Sequence, residues 1–201
     1  MRVRTLLNPF KCPQRFTQQV WADLFPNFQG ILDVEIGFGT GSFIHQYAQN
    51  NPQSCIVGFE IRKKMVDIAQ EKVTELKITN AHLVWGNGHF GLEDMFQDNT
   101  INRLFVFHPD PWEKKRHHKR RVLSLDFLKL AHQKLKLNHN LYLATDVPEL
   151  WTDMLATIQE SGKFVQIPDD EFWTTHYQTR WKEMSQAHHR SLFYGTFQAR
   201  T

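Results

Sequence analysis

The chain has 201 residues, 41% hydrophobic and 13% aromatic, which is enough for one good core and too few for two large domains. No apolar run reaches the roughly 20 residues that span a bilayer, there are no internal repeats or low-complexity tracts, and Cys12 and Cys55 show neither metal nor disulfide spacing. The chain opens on polar residues and not on a secretory apolar run, so the expectation is a soluble protein of the reducing cytoplasm. The formal net charge is +3, and six of the 24 Lys/Arg fall between Lys114 and Arg121 with no acid among them. The rest of the chain therefore has 18 basic groups against 21 acidic ones. Positive charge is a local patch on a slightly acidic body, the footprint expected for binding phosphates.

In chain order, residues 1–30 form a polar N-terminal segment expected to be partly flexible. From residue 31 to 201, apolar runs of strand length alternate with amphipathic stretches, the pattern of βαβ units. The predicted strands are Ile31–Ile36, Cys55–Glu60, His82–Trp85, Arg103–Phe107 and Leu141–Thr145, followed by Phe164–Ile167 and Ser191–Ala199. Helical spacing covers Ser42–Gln49, Arg62–Leu76, Leu125–Lys136 and Glu149–Glu160. These elements predict a single α/β domain, a Rossmann-like, doubly wound, mostly parallel sheet of about seven strands with helices on both faces. The polar, His-rich stretch Pro168–Arg190 exceeds ordinary loop lengths, so it is expected to be functional or mobile.

The first strand runs into Glu35-Ile-Gly-Phe-Gly-Thr-Gly41. Gly37, Gly39 and Gly41 permit a tight turn and let a ligand approach the backbone, although a bare strand-to-helix turn has the same appearance. Glu60 ends the second strand at about the offset where an acid reaches a ribose diol, and a solvated strand-end acid is the competing reading. The spacing is G-x-G-x-G, with Glu35 two residues before the first glycine. A carboxylate there repels a pyrophosphate but pairs with the cationic amino group of a methionine-type ligand, which favours S-adenosylmethionine over a dinucleotide. Asn87, between Gly86 and Gly88, is either an adenine contact or a turn residue.

The predicted fourth strand delivers His108-Pro-Asp-Pro-Trp112 beside the glycine turn, where ligands sit in doubly wound sheets. Pro109 and Pro111 hold Asp110 in an extended conformation, which makes it the candidate catalytic carboxylate. The cations that follow suit phosphates, with Lys119, Arg120 and Arg121 as the proposed contacts and Lys114 close enough to act in the crevice. The adjacent pairs His117-His118 and His188-His189 are poorly arranged to converge on one ion, so no metal site is expected.

EIGFGTG, GFE, PDPW with KKRHHKRR, the ATD of Ala144–Asp146 and a late Thr179-Arg-Trp-Lys182 together resemble the bacterial tRNA (guanine-N7)-methyltransferase family, a class of S-adenosylmethionine-dependent enzymes. The resemblance runs from about Ile31 to Phe197. It implies cofactor contacts by Glu35, Glu60 and Asn87, the last standing where the family commonly has Asp, and Asp110 as the active-site acid. It also implies substrate contacts by Lys114 and Asp146, RNA contacts along Arg116, His117, His118, Lys119, Arg120 and Arg121, and closure of Thr179, Arg180, Trp181 and Lys182 over the target guanine in tRNA. Three departures stand out: His108 replaces a usual Phe, Val147 a usual Trp, and Thr-Arg-Trp-Lys a usual Thr-Lys-Phe-Glu. The competing functions are an RNA-binding protein with weakened or lost catalysis on this fold, and a methyltransferase or nucleotide-dependent oxidoreductase acting on another substrate. Neither a monomer nor a homodimer is favoured.

Overall fold

A computed structural model describes residues 7–187 and 190–200, without the side chains of Arg180, Trp181 and Gln186. The regular elements are α1 (Trp21–Leu24), β1 (Leu32–Ile36), α2 (Ser42–Asn50), β2 (Cys55–Glu60), α3 (Lys63–Glu75), β3 (Ala81–Trp85) and α4 (Gly88–Met95). They are followed by β4 (Ile101–Phe107), α5 (Leu125–Lys134), β5 (Leu135–Thr145), α6 (Pro148–Ser161), β6 (Phe164–Ile167), α7 (Arg180–Ala187) and β7 (Phe193–Ala199). The sheet has seven strands in the order β3-β2-β1-β4-β5-β7-β6. β1 pairs in parallel with both β2 and β4, so the winding reverses between β1 and β4. β7 is antiparallel to both of its neighbours, β5 and β6.

Strand alternation decides which side chain faces which layer. Leu32, Val34 and Ile36, with Leu104 and Val106, pack beneath Leu92, Phe127, Leu128, Leu150 and Met154 of α4, α5 and α6. The intervening positions Phe105 and Phe107 point to the other face, into a second cluster with Phe43, Ile44 and Tyr47 of α2 and Val66 and Ala69 of α3. The helix ends follow local chemistry. Ser124 caps α5 by accepting the Phe127 amide at 3.1 Å, Pro148 opens α6, and Gly162 closes α6 in the left-handed conformation at φ 62°.

Three expectations change. Helix α4 is additional to the predicted set; its signal was Asn87, whose side chain accepts the His89 amide at 3.0 Å as an N-cap. Helix α5 stops at Lys134 and the strand after it begins at Leu135, six residues earlier than predicted. Lys134 is turned inward, donating to the Phe96 carbonyl and to Asp98 at 2.8 Å each, and Leu135 then pairs with Ile101 across a register shift. The stretch 168–190 is not a plain connection. It carries a π-helical turn (Phe172–His176) and α7, and Phe172, Trp173 and Tyr177 are buried against Phe105, Phe107 and Tyr142. At roughly 1.5–3 kcal/mol for each buried aromatic, this segment extends the cover that Phe43 and Tyr47 of α2 begin over Phe105 and Phe107 on that sheet face.

Candidate active site

At the reversal point, the carboxyl ends of β1, β2, β3 and β4 surround a cavity of about 110 Å³, lined by Gly37, Glu60, Asn87, Asp110, Trp112 and Arg120 among others. The glycine turn shapes one wall. Gly37, Gly39 and Gly41 all have positive φ, at 83°, 59° and 84°. A Cβ on Gly41 would land 2.5 Å from His45 of the next helical turn, so a side chain there meets both strain and a clash.

Two acids flank the turn and differ in how they are satisfied. Glu60 is only 3% exposed, and its carboxylate accepts the Gly39 amide at 3.0 Å, the Arg62 amide at 2.9 Å and the Arg62 guanidinium at 2.9 Å from Nε and Nη2. Glu35, one residue behind the cavity wall at Ile36, is equally buried, and its Oε2 has no hydrogen-bond partner among the described residues. Burial first, and the Glu60 charge second, push its pKa up to about 8. A buried acceptor left without a donor costs stability unless something supplies one. The group that would satisfy Glu35 is a cation or hydrogen-bond donor entering beside the glycine turn.

Arg62 also lines the cavity and is a candidate site residue that the sequence reading missed. Its guanidinium ties Glu60 to the turn, and it lines the same cavity as Asp110; the hydrogen bond to Glu60, then the charges of Glu60 and Asp110, raise its pKa. The signal was available in Glu60-Ile-Arg62, where two residues of extended backbone put both side chains on one face. Asn87 lines the same cavity while capping α4, and its amide donates to the Pro9 carbonyl at 3.3 Å, which ties the N-terminal segment to this wall.

The Pro109-Asp110-Pro111 segment is bracketed by two residues in the left-handed region, His108 at φ 49° and Trp112 at φ 43°. Such backbone costs of the order of 1–3 kcal/mol per residue and persists where the surroundings fix it. Here the His108 amide donates to the Ala144 carbonyl at 2.7 Å, and Trp112 is buried with the Arg120 guanidinium 4.9 Å from its ring centre. His108 itself is buried: Nε2 lies 2.7 Å from the Tyr177 hydroxyl and Nδ1 3.5 Å from Asp146 Oδ1. Asp146 Oδ2 accepts from Arg190 at 3.2 Å.

The late motif meets this cluster. Thr179 is buried and its hydroxyl caps α7, accepting the Lys182 amide at 2.9 Å. Lys182 donates to the Tyr177 carbonyl at 2.7 Å and lies over the Tyr177 ring, with burial holding its pKa down. The side chains of Arg180 and Trp181 lie outside the described residues.

The basic run forms a 3-10 helix over Lys115–Arg120 beside the cavity. Lys114, Lys115, Arg116 and Lys119 are exposed, whereas His117, His118, Arg120 and Arg121 are half-buried. Desolvation first, then the charges of Arg120, Arg116, Lys114 and Lys119, lower the His117 pKa, a measure of how densely the cations are packed. Arg121 differs from its neighbours: it donates to the Pro111 carbonyl at 2.7 Å and pairs with Asp153 of α6. Its guanidinium braces the Pro-Asp-Pro loop from inside. Among the described residues no three His, Cys, Asp or Glu side chains are grouped to hold a metal ion, and no helix is long and apolar enough to cross a membrane.

Comparison with known proteins agrees with this architecture. Residues 29–196 match the family described as "Putative methyltransferase". The chain is 34% identical over 166 residues to a tRNA (guanine-N(7)-)-methyltransferase of Thermotoga maritima, covering 81% of this chain but only 53% of that relative. It is 35% identical over 157 residues to the protein of the same name from Streptococcus pneumoniae, covering 78% of this chain and 71% of the relative. Among solved structures, a SAM-dependent methyltransferase from Aquifex aeolicus superposes with a TM-score of 0.57 at 15% identity, covering 90% of this chain and 92% of its own. At that identity the match speaks to the fold alone.

Proposed function

Because the chain belongs to the tRNA (guanine-N7-)-methyltransferase family, we propose that it methylates N7 of the variable-loop guanine of tRNA, conventional position 46, with S-adenosylmethionine as the methyl donor. The observation that carries this reading is a buried carboxylate oxygen of Glu35 without a donor among the described residues, just behind the glycine turn, together with Asp110 at the adjoining cavity and an exposed cationic ridge beside it.

The residues fit the cofactor. The Glu35 carboxylate would receive the cationic amino group, Glu60 the ribose hydroxyls, with Arg62 yielding one of its contacts, and Asn87 the adenine side. When bound, the cofactor supplies a methyl group on a sulfonium, a good leaving arrangement that needs no metal or protein nucleophile. Guanine N7 has a free lone pair and no proton, so the protein's main task is alignment and not base catalysis. As the purine gains positive charge, a fixed carboxylate at Asp110 or Asp146 stabilises it. A carboxylate that also accepts from N1–H and N2–H selects guanine over adenine. Lys114, Lys115, Arg116 and Lys119 are exposed beside the cavity and would hold the RNA backbone, while Lys182 and Thr179 fix the start of α7 near Asp146. The natural setting of such a reaction is the cytoplasm.

The test is to incubate the protein with labelled S-adenosylmethionine and unmodified tRNA, and then cleave the product with borohydride and aniline, which cuts at N7-methylguanosine. Label together with cleavage in the variable loop supports the assignment. Tight tRNA binding without label supports the RNA-binding reading, for which Lys182, turned onto Tyr177 and away from any acid's role, is the motivating feature. Label without cleavage points to another substrate atom.

A further inference from the structure

Asp146 and Tyr177 belong to separate segments, the end of β5 and the turn before α7, and one imidazole lies between them. His108 Nε2 is 2.7 Å from the Tyr177 hydroxyl, the two rings lie nearly parallel at 16°, and Nδ1 faces Asp146 Oδ1 at 3.5 Å. We propose that His108 is the positioning residue for the Asp146 carboxylate. Its Nδ1 edge sets the orientation in which Asp146 meets the target base, while Tyr177 is a secondary brace on the ring from the segment carrying Thr179 and Lys182. The proposal rests on the reading of Asp146 as a guanine contact.

At 3.5 Å the Nδ1–Asp146 contact is a close polar approach and not a formed hydrogen bond, whereas the Nε2–Tyr177 contact, at 2.7 Å, is one. An ionised carboxylate only accepts, so the proton of a neutral His108 belongs on Nδ1, facing Asp146, which leaves Nε2 to accept from the Tyr177 hydroxyl. Tyr177 is in turn hydrogen-bonded to the side chain of Thr179 and is almost fully buried, with burial as the main cause of its raised pKa. Asp146 is held from its other oxygen by Arg190. The carboxylate thus has one anchor from the sheet side, His108, and one from the segment leading into β7, Arg190. The strained φ of 49° at His108 delivers the ring to this spot, and the His108 amide on the Ala144 carbonyl fixes it against the strand that carries Asp146. A phenyl ring at position 108 would fill the same volume and offer neither contact.

Two near-isosteric replacements separate the contacts. The Asn amide nitrogen stands near His Nδ1 as a donor, and the Gln amide reaches the Nε2 position, where its oxygen accepts from the Tyr177 hydroxyl. H108N therefore keeps the group facing Asp146 and loses the brace, whereas H108Q keeps the group facing Tyr177 and loses the other. Steady-state methylation of unmodified tRNA, S-adenosylmethionine affinity and thermal unfolding are measured for both variants, for D146N and for the H108Q/D146N double variant. The expected result is that H108Q lowers kcat/KM for tRNA by tenfold or more and H108N by threefold or less, each with cofactor Kd within twofold of the parent. The double variant should be no worse than D146N, because the interaction that H108Q removes is already gone. Equal losses in H108N and H108Q track packing alone and overturn the proposal, as do additive losses in the double variant. A fully active D146N overturns the reading of Asp146 itself, which separates that failure from the failure of the positioning role.

Discussion

Replacing Glu35 by Gln separates what the buried carboxylate costs from what it does. Burial and the neighbouring Glu60 raise its pKa from the ordinary 4.5 to about 8. The folded chain therefore holds a proton that the unfolded chain has released between those values, and stability falls as pH rises through that window. It is fully retained below 4.5 and fully lost above about 8. At 1.36 kcal/mol per unit, the penalty grows by roughly 3 kcal/mol between pH 5.5 and pH 8.5, where it reaches roughly 5 kcal/mol. Gln has the same shape without the charge and removes this term. Urea unfolding of the ligand-free protein at pH 5.5 and pH 8.5, followed by tryptophan fluorescence, should show the parent losing about 3 kcal/mol more than Glu35→Gln between the two. Asp33, also buried with a pKa raised to about 6, titrates in both proteins and cancels in the comparison. The same substitution should weaken S-adenosylmethionine binding by 10- to 150-fold, the equivalent of about 1.5–3 kcal/mol for a charge-assisted hydrogen bond. Parallel pH profiles would refute the account of the buried charge, and an unchanged Kd would refute the pairing with the amino group.

Asp110→Asn should leave cofactor Kd within about threefold and cut turnover by 10²–10³, the range for losing one preorganised electrostatic contact; single-turnover methylation decides it, and normal turnover in a folded variant would end the catalytic assignment. In the basic run, Arg116→Gln and Lys119→Gln should each flatten the salt slope of tRNA binding by about 0.7–0.9. Arg121→Gln should leave the slope unchanged and destabilise the protein by about 1–3 kcal/mol, since its partners are Pro111 and Asp153; filter binding across a salt series and urea unfolding separate the two behaviours. Gly91→Ala would press a methyl group into the Phe59 ring; a loss of about 1–3 kcal/mol, or a Tm lower by roughly 2–4 °C per kcal/mol, is expected by calorimetry.

Properties set by near neighbours in the chain were legible without coordinates. The alternation in Leu32–Ile36 and Arg103–Phe107, the glycine turn after β1, the Pro-Asp-Pro frame of Asp110 and the density of charge from Lys114 to Arg121 all depend on residues a few positions apart. The strands and the winding reversal followed from that patterning, and they brought Gly37, Glu60, Asn87 and Asp110 to one cavity. Even some near-neighbour signals were passed over: the Asn87 cap of α4 and the proximity of Arg62 to Glu60.

Tertiary structure decided the partners of side chains far apart in sequence, which no local pattern encodes. His108 and Tyr177 are 69 residues apart and meet because the segment of the π-helical turn packs on the sheet face formed by β4 and β5. The polar look of 168–190 concealed three core aromatics, because their burial depends on Phe105, Phe107 and Tyr142 of distant strands and on α2 beside them. Within one basic run, Arg116 and Lys119 face solvent while Arg121 turns inward, because α6 brings Asp153 against it. Composition and spacing determined that this chain carries cationic charge beside an acid; the packing of α6 and of the segment before α7 decided which cations stay exposed to solvent and which acid is held in place.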